Sequence, residues 1–383
     1  MMRKIMVKIL GIVVLLITLF LPNACAFANE EKTSWKQLAY MPTSRLMFQT
    51  EVIDGKIYAI GSCWDSNYTK ILSPTEVYDP STNAWSTLAS MPIALLDYLQ
   101  TEAIDGKIYA IGGWGTDDIP VTSTEVYDPA TDAWTVLAPM SVNLADDFQT
   151  EVINGKIYAI GNIHDGTCTL STEVYDPSTD TWTILASIPT NCKAFQTEVI
   201  DGKIYVLGGY SGTWFGRNSD IKSLSSAEVY DPSTDTWTTL ASMSTTRCCF
   251  QTEVIDSKIY AIGGWNVSVG DSKGKSLSSA EVYNPSTDTW TTLASMSADR
   301  QLFQTELIDD KIYAFGGHGC NGYNDMLSST EVYDPSTDTW TTLASMSKSR
   351  YFFHSEVIDK VIYALGCAGC SFESYTVDTN ASK

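Results

Sequence analysis

The sequence predicts an all-β fold, a seven-bladed β-propeller of four-stranded antiparallel blades, closed by an N-terminal strand that pairs into the C-terminal blade. Three observations predict it. A phrase typified by Gly106-Lys107-Ile108-Tyr109-Ala110-Ile111-Gly112 recurs with its tyrosine at Tyr58, Tyr109, Tyr158, Tyr205, Tyr260, Tyr313 and Tyr363, at steps of 51, 49, 47, 55, 53 and 50 residues. A second phrase, typified by Glu228-Val229-Tyr230-Asp231-Pro232, sets a tryptophan seven residues after its tyrosine, at Trp85, Trp134, Trp182, Trp237, Trp290 and Trp340. The third is a mismatch between the ends. The last unit stops at Phe372-Glu373-Ser374-Tyr375 with no tryptophan to follow, while Thr33 to Pro42, whose tail matches Trp85 to Pro92, has no unit of its own.

Within a unit the elements follow in order. Strand one, such as Phe250-Gln251-Thr252-Glu253-Val254-Ile255, meets strand two, Lys258-Ile259-Tyr260-Ala261-Ile262, through a tight turn. Strand three is Ala280-Glu281-Val282-Tyr283, and strand four runs from Trp290 toward Leu293-Ala294. β-Branched and aromatic residues alternate between Asp-Gly and Asp-Pro turn signals, which argues for strands. No stretch beyond the first 28 residues sustains the 3.6-residue apolar period of a helix. The segment holding Trp35 then completes the last blade, and pairing both termini in one sheet removes two exposed edges.

Residues 1–28 read as a secretory signal. Arg3, Lys4 and Lys8 form a basic start, Ile9 to Leu21 is an apolar run, and Ala26-Phe27-Ala28 fits the A-x-A cleavage pattern. The run is shorter than the ~20 apolar residues that a membrane span needs. Residues 29–383 read as a single domain, with blade repeats at about 43–90, 91–139, 140–187, 188–242, 243–295, 296–345, and 346–378 plus 33–42. The expected location is secreted, in an extracellular or periplasmic space.

Lys+Arg number 24 and Asp+Glu 45, a net charge of -21. Setting aside the three basic groups of the leader leaves 21 against 45, or -24. Such a chain repels phosphate backbones, so nucleic acid and anionic membrane surfaces are excluded as partners. Eight cysteines follow the leader (Cys63, Cys168, Cys192, Cys248, Cys249, Cys320, Cys367 and Cys370), an even number that permits disulfides without fixing their connectivity. Cys367-Ala368-Gly369-Cys370 has no second C-x-x-C to complete a zinc set.

The Gly-Gly after strand two (Gly112-Gly113, Gly208-Gly209, Gly263-Gly264, Gly316-Gly317), spaced against these tyrosines and tryptophans, resembles the kelch repeat over about residues 33–377. Three units depart at the second glycine, with Ser62, Asn162 and Cys367, so the loop path is expected to differ there. The resemblance implies a propeller used as a protein-binding module, a sugar-acid epimerase or a copper oxidase.

Comparing the repeats with each other separates two faces. The turns joining strands one to two and three to four keep constant length, which suggests structural duty. The connection from the first glycine to the strand-three glutamate spans 15, 13, 12, 20, 18, 15 and 7 residues. Diverse loops on a rigid scaffold are where recognition resides. These loops carry Trp64, Trp114, Tyr210, Trp214, Phe215, Trp265 and Tyr323 with Arg217, Asp117, Asp118 and His318. Exposed aromatics suit stacking on sugar rings or anchoring a protein. Trp214, Phe215, Arg217 and His318 are the expected ligand contacts, while Trp64, Trp114 and Trp265 follow strand two closely enough to pack under their loops.

Arg45, Arg247, Arg300 and Arg350 end the connections into blades one, five, six and seven, neighbours around a closed ring; blades two and three carry Asp97, Asp146 and Asp147 instead. By the kelch resemblance, arginines here hold ligand carboxylates, for which the guanidinium fork is suited. The alternative is that each arginine pairs with its own neighbouring loop. On the axis-facing strand, Gln49, Gln100, Gln149, Gln196, Gln251, Gln304 and His354 precede Glu51, Glu102, Glu151, Glu198, Glu253, Glu306 and Glu356 by two residues, hence on the same side. Seven carboxylates about the axis would share raised pKa values or recruit a cation, for which hard oxygens favour calcium. Alternatively, each glutamate accepts hydrogen bonds from backbone or from Thr or Gln of the next blade. No other cofactor is expected.

Three histidines, His164, His318 and His354, on separated elements do not make the two-tyrosine, two-histidine copper site that the oxidase resemblance requires. An epimerase of the sialic-acid type would need an acid and a base beside a carboxylate-binding arginine, and no spacing identifies them. The expected function is therefore an exported, monomeric binding module for a protein or glycan, with sialic-acid-type sugar epimerase or mutarotase as the alternative.

Overall fold

The computed structural model describes residues 34–377 apart from 44, 46–47, 62, 65–70, 73, 94–97, 116–118, 164–169, 213–219, 270–273, 321–324 and 367–370, and gives backbone alone at 63–64, 71–72 and 145–147. The predicted leader lies outside the described residues. Ser34–Lys383 forms one compact unit.

Seven antiparallel four-stranded sheets make up this unit, and we letter their strands A to D from the axis outward. Blade five is representative: A is Gln251–Ile255, B Lys258–Ile262, C Ala280–Asn284 and D Thr289–Leu293. Blade seven takes its A, B and C strands from His354–Ile358, Val361–Leu365 and Phe372–Thr376. Its D strand is Lys36–Gln37, paired antiparallel with Ser374 and Glu373. The A strands touch in sequence around the axis, the seventh meeting the first, so the ring is closed. Prediction and structure agree on blade number, strand order and closure.

Burial follows the strand position. Every B strand reads as a buried run after its first residue, a lysine in six blades as in Lys56–Ile60 and Val361 in the seventh, because both of its faces are covered by neighbouring blades. D strands are mostly exposed and rich in Ser and Thr, as at Thr236–Thr239, which suits an edge that must stay in water. The core divides into seven clusters, one per blade interface. Between blades four and five, for example, Ile200, Tyr205 and Leu207 pack on Met243, Phe250, Ile259 and Tyr283.

The constant C–D turn fastens each blade to its predecessor. Asp235 adopts a left-handed φ of 51°, which Asp tolerates better than most residues. Its Oδ1 accepts the Tyr230 hydroxyl of its own blade at 2.8 Å and the Ala186 N–H of blade three at 2.8 Å. Two residues on, the Trp237 indole donates to the Ala186 carbonyl at 2.9 Å. One alanine of the preceding blade is thus held by both of its peptide groups. The arrangement repeats with Asp132 and Trp134 on Ala89, Asp180 and Trp182 on Ala138, Asp288 and Trp290 on Ala241, and Asp338 and Trp340 on Ala294. Asn83 and Trp85 hold Ala39, just past the closing strand. At the seam, Trp35 packs on Phe315 and Tyr375 and donates to Thr330 Oγ1 at 3.0 Å.

The diglycine has a steric cause. A Cβ on Gly263 would lie 2.8 Å from the Arg300 carbonyl, and one on Gly264 would lie 2.6 Å from Cβ of Phe250, with both residues at positive φ. In blade three Asn162 replaces the second glycine and the path changes as expected. Strands A and B lengthen to Leu144–Ile153 and Lys156–Ile163, with a register shift between Ala145 and Gln149. Asn162 Nδ2 donates to the Cys192 carbonyl at 2.9 Å, doing through its side chain what the Gly264 amide does for the Arg300 carbonyl. Ser62 and Cys367 lie outside the described residues.

Replacing the clamp carboxylate should loosen one interface. Asp235→Ala is expected to cost about 1.5–3 kcal/mol, the range for a hydrogen bond to a charged group, in urea unfolding, and Ser233→Ala much less. Equal losses for the two variants would contradict the clamp.

Candidate functional site

The axial ring forms as the alternation requires. Gln and Glu of the first six A strands, and His354 and Glu356 of the seventh, face the channel, half-buried, while in the first six the intervening Thr turns into the blade stack. Gln49, Gln196, Gln251 and Gln304 donate Nε2 to the carbonyls of Leu99, Phe250, Phe303 and Phe353 in the next blade, at 2.9, 2.7, 2.7 and 2.6 Å. Glu51 accepts the Thr101 hydroxyl of blade two at 2.7 Å. The same pairing links Glu102 to Thr150, Glu151 to Thr197, Glu198 to Thr252, Glu253 to Thr305, Glu306 to Ser355 and Glu356 to Thr50, which closes the circle.

Burial pushes all seven carboxyls up, the hydroxyl bonds offset part of this, and neighbouring glutamates add repulsion at four of them. Glu51, Glu253 and Glu356 rise to about 7, and Glu102, Glu198 and Glu306 to about 8. Protonation is therefore how the ring sheds its charge. Among the described residues no three acidic, His or Cys side chains come together to hold a metal ion. The hydroxyl-bonding alternative describes the ring residues. His354 takes the seventh Gln position against the Phe48 ring, and burial lowers it to about 4.

The four arginines require a correction. Arg45, Arg247, Arg300 and Arg350 are buried, at 2%, 0%, 0% and 0% exposure, and present no guanidinium to a ligand. Arg300 is typical: Nη1 donates to the carbonyls of Gly316 and Ser329 at 2.7 and 3.0 Å, and Nη2 to Ser329 Oγ and to Glu331 Oε1 at 2.8 and 2.9 Å. Glu76, Glu281 and Glu373 pair with Arg45, Arg247 and Arg350 in the same way. Each arginine ties the connection entering its blade to the end of strand B and the start of strand C. Its partner was the residue that sequence reasoning missed. The C-strand glutamate recurs in all seven repeats beside core tyrosines, and a charge fixed among apolar positions was the available signal.

On the long-loop face, Trp214, Phe215 and Arg217 lie outside the described residues, as do Tyr323, Asp117, Asp118, Asp97 and His164; Trp64, Asp146 and Asp147 have backbone alone. Trp114, Tyr210 and Trp265 are half-buried, as packing under their loops requires. Three of the loops begin as short ribbons: Cys63–Trp64 with Ile71–Leu72, Tyr210–Ser211 with Lys222–Ser223, and Trp265–Asn266 with Lys275–Ser276. Tyr210 and Trp265 pin the bases of two ribbons by bridging to Lys193 and Cys248, and His318 pins the blade-six loop to Gln301. His318 is half-buried, its Nδ1 2.9 Å from the Gly319 carbonyl and its ring against Tyr351.

Residues 152–367 match the family model for the KLHDC2/KLHL20/DRC7 Kelch-repeats domain, and residues 44–92 and 99–141 match the Kelch motif. Human Kelch-like protein 28 is 36% identical over 110 residues, 28% of this chain and 19% of that protein. Zebrafish (Danio rerio) Kelch-like ECH-associated protein 1B is 34% identical over 106 residues, 27% of this chain and 18% of that protein. The matched region thus spans about a fifth of these relatives. Among solved structures, YjhT superposes with a TM-score of 0.59 at 15% identity, over 80% of this chain and 99% of that one. A copper-bound fungal alcohol oxidase of the AA5 family superposes with a TM-score of 0.68 at 19% identity, over 90% and 76%. At these identities the likeness is one of fold.

Two outcomes follow from the site. Breaking a buried pair by Arg300→Met, which strands Glu331, is expected to cost about 3–5 kcal/mol in chemical unfolding; a change below about 1 kcal/mol would show the pair to be dispensable. The raised Glu ring contributes most to stability on the acid side, whereas below about pH 4 the lowered carboxyls of Asp79, Asp176, Asp231 and Asp334 act in the opposite sense, so the ring is read above pH 5. A carboxyl that holds its proton to about 7–8 folded but to about 4.5 unfolded favours the fold below 4.5, and the benefit is lost as pH rises through 7–8. His354 opposes this as one group against seven. The melting temperature should fall by several degrees between pH 5 and pH 8.5, and the fall should shrink in Glu102→Gln/Glu198→Gln/Glu306→Gln.

Proposed function

Because this chain belongs to the kelch-repeat propeller family, we propose that it is an exported binding module that holds a protein or glycan ligand on its long-loop face. One observation carries this reading: seven nearly identical blades end on one side in constant turns spent on holding blades together, and on the other in connections that differ in length and composition. Short antiparallel ribbons order the bases of two of these connections, which lowers the entropy lost on binding. Protein ligands come first, since kelch propellers are typical protein-interaction modules. The sialic-acid-type epimerase reading loses its carboxylate-binding group with the burial of the four arginines. Export rests on the leader sequence and gives a mature start at Asn29.

The test uses the secreted protein, whose N-terminal sequence should begin at Asn29. Probed against a glycan array and against proteins of its own extracellular space, it should retain a ligand. Replacing residues 213–219 and 270–273 by Gly-Ser segments should abolish retention, while Asp54→Ser and Asp105→Ser in the opposite turns should not. Retention lost only with the turn variants would move the working face. Acceleration of sialic-acid anomer exchange, followed by NMR, would replace the binder with the enzyme.

A further inference from the structure

The B- and C-strand tyrosines of a blade use their hydroxyls differently. On strand C the hydroxyl is taken by the clamp: Tyr127 donates to Asp132 at 2.9 Å and Tyr175 to Asp180 at 2.8 Å. The B-strand tyrosines Tyr58 and Tyr109 are 7% and 9% exposed, and their hydroxyls meet no hydrogen-bond partner among the described residues. A phenol buried this far normally finds one. Neither hydroxyl is sealed from solvent, and each of these tyrosines lines a cleft on the turn face, between its own blade and the next.

The cleft at Tyr58 has a volume of about 470 Å³ and the one at Tyr109 about 420 Å³. Both fall within the ~300–1,000 Å³ of small-molecule pockets. Every residue that lines them is described, and the way in is open: Gly106 and Ala130 stand exposed at the rim of the first, Gly155 and Ser178 at the rim of the second. One wall of each cleft is an ion pair across strands B and C of the following blade. Lys107 Nζ lies 3.0 Å from Asp128 Oδ2, and Lys156 Nζ 2.8 Å from Asp176 Oδ2. The carboxylates are held in place, because Asp128 Oδ1 accepts the Ala130 N–H and Asp176 Oδ1 the Ser178 N–H, both at 2.9 Å.

From this geometry we infer that the turn-face clefts are binding sites for a neutral pyranose sugar. An ammonium and a carboxylate at hydrogen-bonding distance match two adjacent ring hydroxyls, one accepting from the lysine and the other donating to the aspartate. The tyrosine hydroxyl adds a third contact from the floor. Ions suit the clefts less, since each charge of the wall is already cancelled by its partner and the chain's net charge of -21 repels anions. The same tyrosine and ion pair recur where blades four, six and one supply the wall. Blades five and seven break the wall, with Asn284 in place of the aspartate and Val361 in place of the lysine. Weak sites repeated on one face give avidity for a surface that displays many copies of the sugar. This face lies opposite the long loops, and the inference is independent of their role.

The experiment is saturation-transfer NMR on the secreted protein with methyl glucoside, methyl mannoside and methyl galactoside, and with sorbitol as the acyclic control. At least one pyranoside should bind saturably and sorbitol should not. Combining Tyr58→Phe, Tyr109→Phe, Tyr158→Phe, Tyr260→Phe and Tyr363→Phe should weaken that binding about three- to tenfold at each site, the worth of one neutral hydrogen bond. The melting temperature should stay unchanged, because these hydroxyls bond nothing in the fold. No saturable binding by any pyranoside, equal binding of sorbitol, or binding undiminished in the Phe variant overturns the assignment. Should the fivefold variant not fold, Tyr58→Phe/Tyr109→Phe decides, with a loss of signal in proportion to the clefts altered. Sugar binding that survives Gly-Ser replacement of residues 213–219 and 270–273 but not the Phe changes belongs to the clefts; the reverse pattern overturns the clefts and leaves the long-loop reading standing.

Discussion

The propeller depends on one alanine at each of six blade interfaces, held at its N–H by a carboxylate or amide and at its carbonyl by an indole. Apolar packing alone would bring neighbouring blades together but would let them slide, because the two facing surfaces are similar sheets of small and aromatic side chains. Two directed hydrogen bonds to one peptide unit fix both the tilt and the translation. The same Asp oxygen also takes the tyrosine hydroxyl that fills the core, so the turn, the core and the interface share a single atom. This is why the C–D turn tolerates so little change from blade to blade.

A second constraint works at the axis. Closing seven strands brings seven carboxylates round one channel, and the fold answers with a hydroxyl from each next blade and with retained protons. The Gln layer above does the same for exposed carbonyls. Polar residues on the innermost strand thus serve as cross-blade bonding groups that tie the ring together at the axis. The arginines work at the outer level of the same face, where each neutralises a glutamate that would otherwise be buried alone.

Much of this architecture is legible in the residues themselves. Tyr58 to Tyr363 and Trp85 to Trp340 mark seven units because each fills an equivalent place in a core that repeats. Trp35 is legible as the closing strand because it is a tryptophan without a tyrosine before it. The site is less so. Arg45, Arg247, Arg300 and Arg350 look like a recognition arc because a sequence shows which residues are charged and not which are covered; their partners, Glu76, Glu281, Glu331 and Glu373, sit 23 to 34 residues on, beyond any local pattern. The axial glutamates are placed correctly by alternation alone, since a two-residue period survives in any strand. Their protonation depends on how closely the next blade approaches, which only the closed ring fixes.

Near-identity among blades carries a hazard during assembly. Residues 228–243 and 331–346 are the same sequence, so an outer strand from one blade could be accepted by another, giving rings with too few or too many members or chains joined end to end. The closing strand is spelled differently. Where the outer strands of blades four, five and six read Trp-Thr-Thr-Leu, it reads Trp35-Lys36-Gln37-Leu38, and Gln37 Nε2 reaches the Phe372 carbonyl at 2.8 Å. Phe372 begins the third strand of the terminal blade alone, the place where its counterparts have Ala or Thr. A lock whose two halves match each other better than either matches the remaining copies lets the chain count to seven.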